Sequence, residues 1–230
     1  MIAESIKNIT SELPPETILV AVSKFHPAES IIEAYEAGQR VFAESRPQEL
    51  EKKVAALSEK CPDIEWQFIG HLQTNKLKMV LPYVSLVQSV DSLHLLEDID
   101  KWAKAAGRVV NVLLELHVAQ EETKQGFFEE EVLDLMFRYY DSHCEGGKGY
   151  LSNVRIKGLM AMATNTDDVD VIRADFGRAR AFMDYLTDLF PELEDFSELS
   201  IGMSSDWKTA LEFDTTMVRI GTAIFGERNY

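Results

Sequence analysis

Residues 18–27 read ILVAVSKFHP: five apolar residues, a serine, a lysine, and soon afterwards a proline that opens an amphipathic stretch. An unbroken apolar run followed by a helix start describes a strand buried on both faces, the kind a parallel sheet uses. The unit repeats. Strand-like runs occur at 18–23, 40–44, 65–70, 85–89, 109–117, 155–163, 198–202 and 217–220. Helix-like stretches fall between them at 27–37, 47–59, 75–81, 92–106, 129–144, 168–189 and 206–212. Strict alternation predicts an α/β fold in which helices cover a parallel sheet. Eight such units in 230 residues favour a closed (β/α)8 TIM-type barrel, a single domain over 1–230. The rival, an open doubly wound sheet, lacks its GxGxxG fingerprint. Few residues follow the last strand, so no full eighth helix fits there. The spare amphipathic segment at 2–13 is the helix expected to cover that side.

Charge narrows the partners. The chain carries 39 acidic and 23 basic residues, a net charge of -16, which argues against nucleic acid and anionic membranes. No apolar run has the length of a membrane span. The opening MIAESIKNITSELPPE lacks the basic and apolar regions of a secretory signal, so a cytoplasmic location is expected. The two cysteines, Cys61 and Cys144, make neither a disulfide framework nor a metal-ligand spacing, and no metal is expected. EGGKGY at 145–150 fails the GxxxxGK[ST] spacing and enters a strand rather than leaving one. The adjacent residues of HCE at 143–145 cannot converge well on one ion. The acidic runs at 129–131 and 192–195 read as solvated helix ends or loops.

Chemistry in such barrels collects where the strands end, on the C-terminal face. The first strand delivers Lys24, on the face of Val20 and Val22 by the two-residue period. Buried near a second cation, its ammonium would become the neutral amine that a Schiff base needs. A lysine snorkelling from a strand end is the plainer alternative. The eighth strand delivers Arg219, on the face of Met217 and Gly221, with no acid within two positions. Barrel closure sets strand eight beside strand one, which makes Arg219 and Lys24 neighbours. Two such cations call for an anionic or electron-rich ligand, although an ion pair to a distant carboxylate would also satisfy Arg219. Ser204 and Ser205 follow the seventh strand, and Gly221 and Thr222 follow the eighth. Those are the places where this class of barrel holds phosphate with backbone N–H groups and hydroxyls. Glu44, Ser45, His117, Met203 and residues 70–73 and 162–165 complete the strand exits.

These motifs resemble those of the pyridoxal phosphate homeostasis protein family. The likeness is carried by AVSK at 21–24, FIGHLQTNK at 68–76, KGLMAM at 157–162, SIGMSSDW at 200–207 and MVRIGTAIFG at 217–226. It runs from about residue 18 to residue 230, and the third-strand and last-strand motifs are its specific part. The resemblance implies an alanine-racemase N-terminal-domain-like barrel with pyridoxal 5'-phosphate (PLP) as cofactor. It makes Lys24 the Schiff-base lysine and sets Arg219 against the pyridine nitrogen. It puts Ser204, Gly221 and Thr222 around the phosphate, with backbone groups of Met203 and Ser205 beside them. Where the family usually reads FGEN after strand two, this chain has FAES at 42–45, with Ala43 and Ser45 in place of the glycine and the asparagine. Trp66-Gln67 and the fifth-strand exit ELHVAQEETKQG, with His117, are further departures.

The expected function is that of a PLP carrier. The chain would hold PLP as an internal aldimine, take part in intracellular PLP and amino-acid homeostasis, and act as a monomer. PLP-dependent enzymes would be the recipients of its cofactor. A PLP-dependent amino-acid racemase of the same fold is the alternative, and the barrel by itself also admits a cofactor-free Schiff-base aldolase. Racemisation needs acid/base groups on both faces of the carbanion. One lysine supplies one face, and no tyrosine, Tyr230 included, is placed by the sequence over the other.

Overall fold

A computed structural model of the chain describes residues 1–121, 125–144 and 149–227, the side chains at 143 and 144 excepted. Most of the EGGKGY turn, the side chains of the HCE triplet and Tyr230 lie outside them. The strands are β1 (Ile18–Val22), β2 (Val41–Glu44), β3 (Glu65–Phe68), β4 (Val84–Val90), β5 (Val110–Leu116), β6 (Val154–Ala161), β7 (Glu198–Met203) and β8 (Met217–Ile220). Each pairs in parallel with the next, and β1 pairs with β8 through Ile18↔Met217 and Val20↔Arg219, so the sheet closes into a barrel. The helices are α1 (Ile2–Glu12), α2 (Ala28–Glu36), α3 (Pro47–Leu57), α4 (Leu77–Val80), α5 (Leu93–Ala106), α6 (Glu129–Cys144), α7 (Val169–Leu189), α8 (Trp207–Ala210) and α9 (Thr222–Phe225). Thus the (β/α)8 barrel expected from the alternation is the fold.

The two-residue strand period sorts the side chains into two cores. Outward residues such as Ala21, Phe42, Phe68, Val87, Leu114, Leu159, Ile201 and Val218 pack under the helices. Inward residues Val20, Val22, Ala43, Leu86, Leu113, Met160 and Met217 fill the barrel itself. The inner core also contains a polar relay. The Arg219 guanidinium donates to the Ser200 hydroxyl at 2.7 Å, Ser200 donates to Gln88 Oε1 at 2.7 Å, and Gln88 Nε2 donates to Gln67 Oε1. Each group fills the next one's lone pair, so the interior carries these polar groups without orphaning them.

The spare N-terminal segment does what the missing eighth helix would. Ile6 and Ile9 of α1 are buried, and the helix packs against both α2 and α9 beside the β8–β1 junction. Three stretches depart from the predicted elements. The helix expected at 75–81 begins with a 3-10 turn at Thr74–Lys76, and that at 206–212 splits into α8 and a 3-10 turn at Leu211–Phe213. The four-residue α9, boxed between Gly221 and Gly226, was not foreseen. The acidic runs behave as surface groups: Glu129 pairs with Arg178, and Asp195 with Arg155 and Lys157. Cys61 is buried and unoxidised. Among the described residues no helix is long and apolar enough to cross a membrane, and no cluster of ligating side chains could hold a metal.

Candidate active site at the barrel mouth

A cavity of about 620 Å³ opens at the C-terminal face of the barrel. All seven residues singled out from the sequence line it: Lys24, Met203, Ser204, Ser205, Arg219, Gly221 and Thr222. Val22, His26, Ile69, Met160, Met162 and Ala223 complete the wall. Lys24 is half-buried rather than enclosed, and stands two residues beyond Val22, the last residue of β1.

Arg219 is 4 % exposed and makes no ion pair among the described residues. Its Nη1 donates to the Ser200 carbonyl and hydroxyl, both at 2.7 Å, and its Nη2 to the Ala161 carbonyl at 2.9 Å. The distant-carboxylate alternative is therefore not what holds it. Fixed by neutral acceptors, the guanidinium keeps its Nε–H and second Nη2–H without a protein acceptor among the described residues. Burial pulls it down to about 10, while Glu115 and Asp206 act in the opposite direction. It remains charged at neutral pH.

The far wall is built by the exits of β7 and β8. Ser204 Oγ accepts the N–H of Gly221 at 3.1 Å and that of Ala223 at 3.4 Å, which ties the two loops together. Asp206 Oδ1 takes the Met203 N–H at 2.5 Å, so that backbone donor is spent inside the protein. The N–H groups of Ser205 and Thr222 find no protein acceptor among the described residues, and both side-chain hydroxyls border the cavity. Gly221 has an ordinary negative φ of -114°. A Cβ there would stand 3.1 Å from the Val22 carbonyl, so the glycine lets β8's exit lie close against β1.

Glycine is more strictly required at position 70. A Cβ would lie 2.1 Å from the Ser45 carbonyl oxygen, closer than any real contact. The backbone of FAES at 42–45 is thus pressed against the third-strand exit, and Ser45 does not line the cavity. His71, next along, leans outward and pairs with Asp91 at 2.8 Å. His117 packs on Phe128 and borders a small side cavity with Glu115 and Met162.

Sequence reading missed two features. The first is Glu115, which points inward from β5 opposite Met160 in register and is 6 % exposed. Burial, reinforced by Asp91, pushes its carboxyl up to about 7, with Arg219 and His71 pulling the other way. Its position inside a predicted strand, odd-numbered with the inward Leu113, was the available signal. The second is the apolar wall of Ile69, Met160 and Met162, which needs the three-dimensional closure to be recognised as one surface. Together the walls offer an amine, a guanidinium edge, hydroxyl and N–H donors, and a thioether-lined floor. They suit a flat ligand that carries a carbonyl carbon, a ring acceptor and an anionic group.

The family model for the alanine racemase N-terminal domain matches residues 1–229. A pyridoxal phosphate homeostasis protein of Vibrio alginolyticus is 35% identical over 241 residues, covering 100% of this chain and 98% of its own. One of Aquifex aeolicus is 39% identical over 212 residues, 92% of this chain and 87% of its own. A solved structure of PipY from Synechococcus elongatus with PLP bound is 36% identical, covers 98% of this chain and 100% of its own, and superposes with a TM-score of 0.87.

Proposed function

The chain belongs to the pyridoxal phosphate homeostasis protein family, and on that premise we propose that it binds PLP at the barrel mouth and holds it through a Schiff base to Lys24. The observation that carries this reading is one cavity whose walls present Lys24, Arg219 and the β7–β8 loops together. Bound PLP supplies an aldehyde carbon for an amine and an aromatic ring able to take up electrons. In this reading Lys24 Nζ provides the amine. Arg219 directs its unspent N–H donors at the ring nitrogen and keeps that nitrogen unprotonated, because a guanidinium donates a hydrogen bond without giving up its proton. Thr222, Ser204 and Ser205 bracket the phosphate, and Gly221, its N–H taken by Ser204 Oγ, lets the backbone come close to it. Met203 contributes its side chain to the wall, its N–H being committed to Asp206.

The same reading makes the chain a cytoplasmic, monomeric carrier that serves PLP and amino-acid homeostasis by holding the cofactor and releasing it to PLP-dependent enzymes. Two features favour carriage over racemisation. The guanidinium weakens the ring as an electron sink. Among the described residues lining the cavity there is no tyrosine or carboxylate, and His26 shares Lys24's own loop. PLP-saturated protein incubated with L-alanine or L-serine should show no sustained racemisation by chiral chromatography. Steady turnover that is lost in Lys24→Ala protein would replace the carrier reading with the racemase.

Phosphate placement is tested by comparing PLP with pyridoxal, which lacks the phosphate. Thr222→Ala should weaken PLP binding by about 1.5–3 kcal/mol, the worth of a hydrogen bond to a charged group. Pyridoxal binding should stay nearly unchanged in the same titrations. Equal losses for both ligands would put the phosphate elsewhere.

A further inference from the structure

The residues flanking Lys24 are held in an unusual way. Ser23 O accepts the His26 N–H at 3.0 Å, closing a tight turn with Lys24 and Phe25 at its centre. Phe25 has φ +68°, the left-handed region that a side chain other than glycine or asparagine enters only under constraint. Strain of this kind persists where the surroundings over-determine it, and it concentrates at functional sites.

A buried ionic group supplies the constraint. Lys53, on α3, has its side chain 8 % exposed, and its ammonium donates to three acceptors: Ser23 O at 2.8 Å, Glu44 Oε1 at 2.6 Å and Glu49 Oε1 at 2.8 Å. Glu49 Oε1 also accepts the Phe25 N–H at 2.7 Å. Glu44 Oε1, fully buried, accepts the Ser23 hydroxyl at 2.6 Å. The peptide group before Lys24 is therefore gripped at its carbonyl and the one after it at its N–H. The Arg46 guanidinium lies 4.3 Å from the centre of the Phe25 ring and holds that side chain from outside.

An arrangement this costly needs a use. Glu44 Oε2 is buried with no hydrogen-bond partner among the described residues, and burial pushes that carboxyl upward against the pull of Lys53. Replacing a buried ionic cluster with apolar packing is often neutral or stabilising, so stability alone is a weak reason for one here.

We propose that Glu44, Lys53 and Glu49 form a positioning frame that locks the strained turn around Lys24 and so aims its amine into the cavity. The inference rests on Lys24 being the residue that captures PLP. In that capture Lys24 Nζ bonds to the aldehyde carbon, and the aldehyde oxygen departs as water with the two amine protons. The frame touches none of these atoms. It acts on the rate by fixing the direction from which Nζ arrives, while the phosphate and ring contacts lie on other strands.

Glu49 is the place to test it, because its side chain is the frame's least buried and stands on a helix surface. Glu49→Ala removes the acceptor for Phe25 N–H; Glu49→Gln keeps an oxygen there. Two quantities are read on each protein. The rate of Schiff-base formation with PLP is followed by stopped-flow absorbance. Non-covalent affinity is measured with pyridoxine 5'-phosphate, which has an alcohol where PLP has its aldehyde. Glu49→Ala should slow capture about tenfold, as losing a hydrogen bond to a charged group implies. Its affinity for pyridoxine 5'-phosphate should hold within about twofold, and Glu49→Gln should recover most of the rate. An unchanged rate in Glu49→Ala overturns the frame. So does a parallel loss of pyridoxine 5'-phosphate affinity, which would mean general damage, or equal impairment of both variants. A parent protein that binds pyridoxine 5'-phosphate yet forms no Schiff base would instead refute the role of Lys24.

Discussion

Lys24→Ala protein is expected to emerge from purification without the visible absorbance of a Schiff base and to lose added PLP completely on desalting. Lys24 lines the cavity but is only half-buried, and the turn around it is gripped at the peptide groups of Ser23 and Phe25. Truncation should leave the barrel's melting temperature nearly unchanged. The β7–β8 loops and Arg219 remain in the cavity wall, so reversible PLP binding should survive in a titration while covalent capture disappears. Retention of PLP at parental occupancy after desalting would mean that another amine, or no amine, holds it.

Replacing Glu115 by glutamine should stabilise the protein above pH 7 and do little near pH 4.5. The carboxyl sits inside the barrel, 6 % exposed, with no hydrogen bond to it among the described residues, and burial lifts it from an ordinary 4.5 to about 7. The folded state then holds a proton that the unfolded chain releases between those two values. Stability therefore falls as pH rises across that window and levels off above it. A shift of this size corresponds to about 3 kcal/mol, and in a domain this long each kcal/mol moves the melting temperature by roughly 2–4 °C. Asp91 adds to the cost of the charge, whereas Arg219 and His71 reduce it. Glutamine mimics the protonated acid at every pH. Scanning calorimetry of both proteins at pH 4.5 and pH 8 should show a gap of several degrees only at the higher pH. Equal melting temperatures at pH 8 would mean that Glu115 is solvated or paired in solution.

The barrel was legible because parallel strands buried on both faces leave apolar runs that period and length reveal, and all eight lie within two or three residues of the stretches read from sequence. What escaped was short and locally unmarked. The four residues of α9 have too few turns for a periodic signal, and α8 gives way to a 3-10 turn after one turn of helix. The site divides in the same way. Lys24, Arg219 and the β7–β8 loops were readable since strand ends point to one face, and the structure brings all of them to a single cavity. Glu49 and Lys53, four residues apart on a polar helix face, look like a routine surface pair. Only the fold shows that face pressed against the turn after β1. Glu115 was hidden for a related reason: an acid in an apolar run reads as an outward residue until the register of β5 assigns its face.

Covalent capture by Lys24 is the central claim, and borohydride reduction of the PLP-loaded protein tests it most directly. Reduction converts a Schiff base into a stable secondary amine, and peptide mapping by mass spectrometry then locates the pyridoxyl group. The expected result is one labelled peptide containing Lys24, with no label in Lys24→Ala protein. Label on Lys76 or Lys208 instead, or none on a protein that has demonstrably bound PLP, would contradict it.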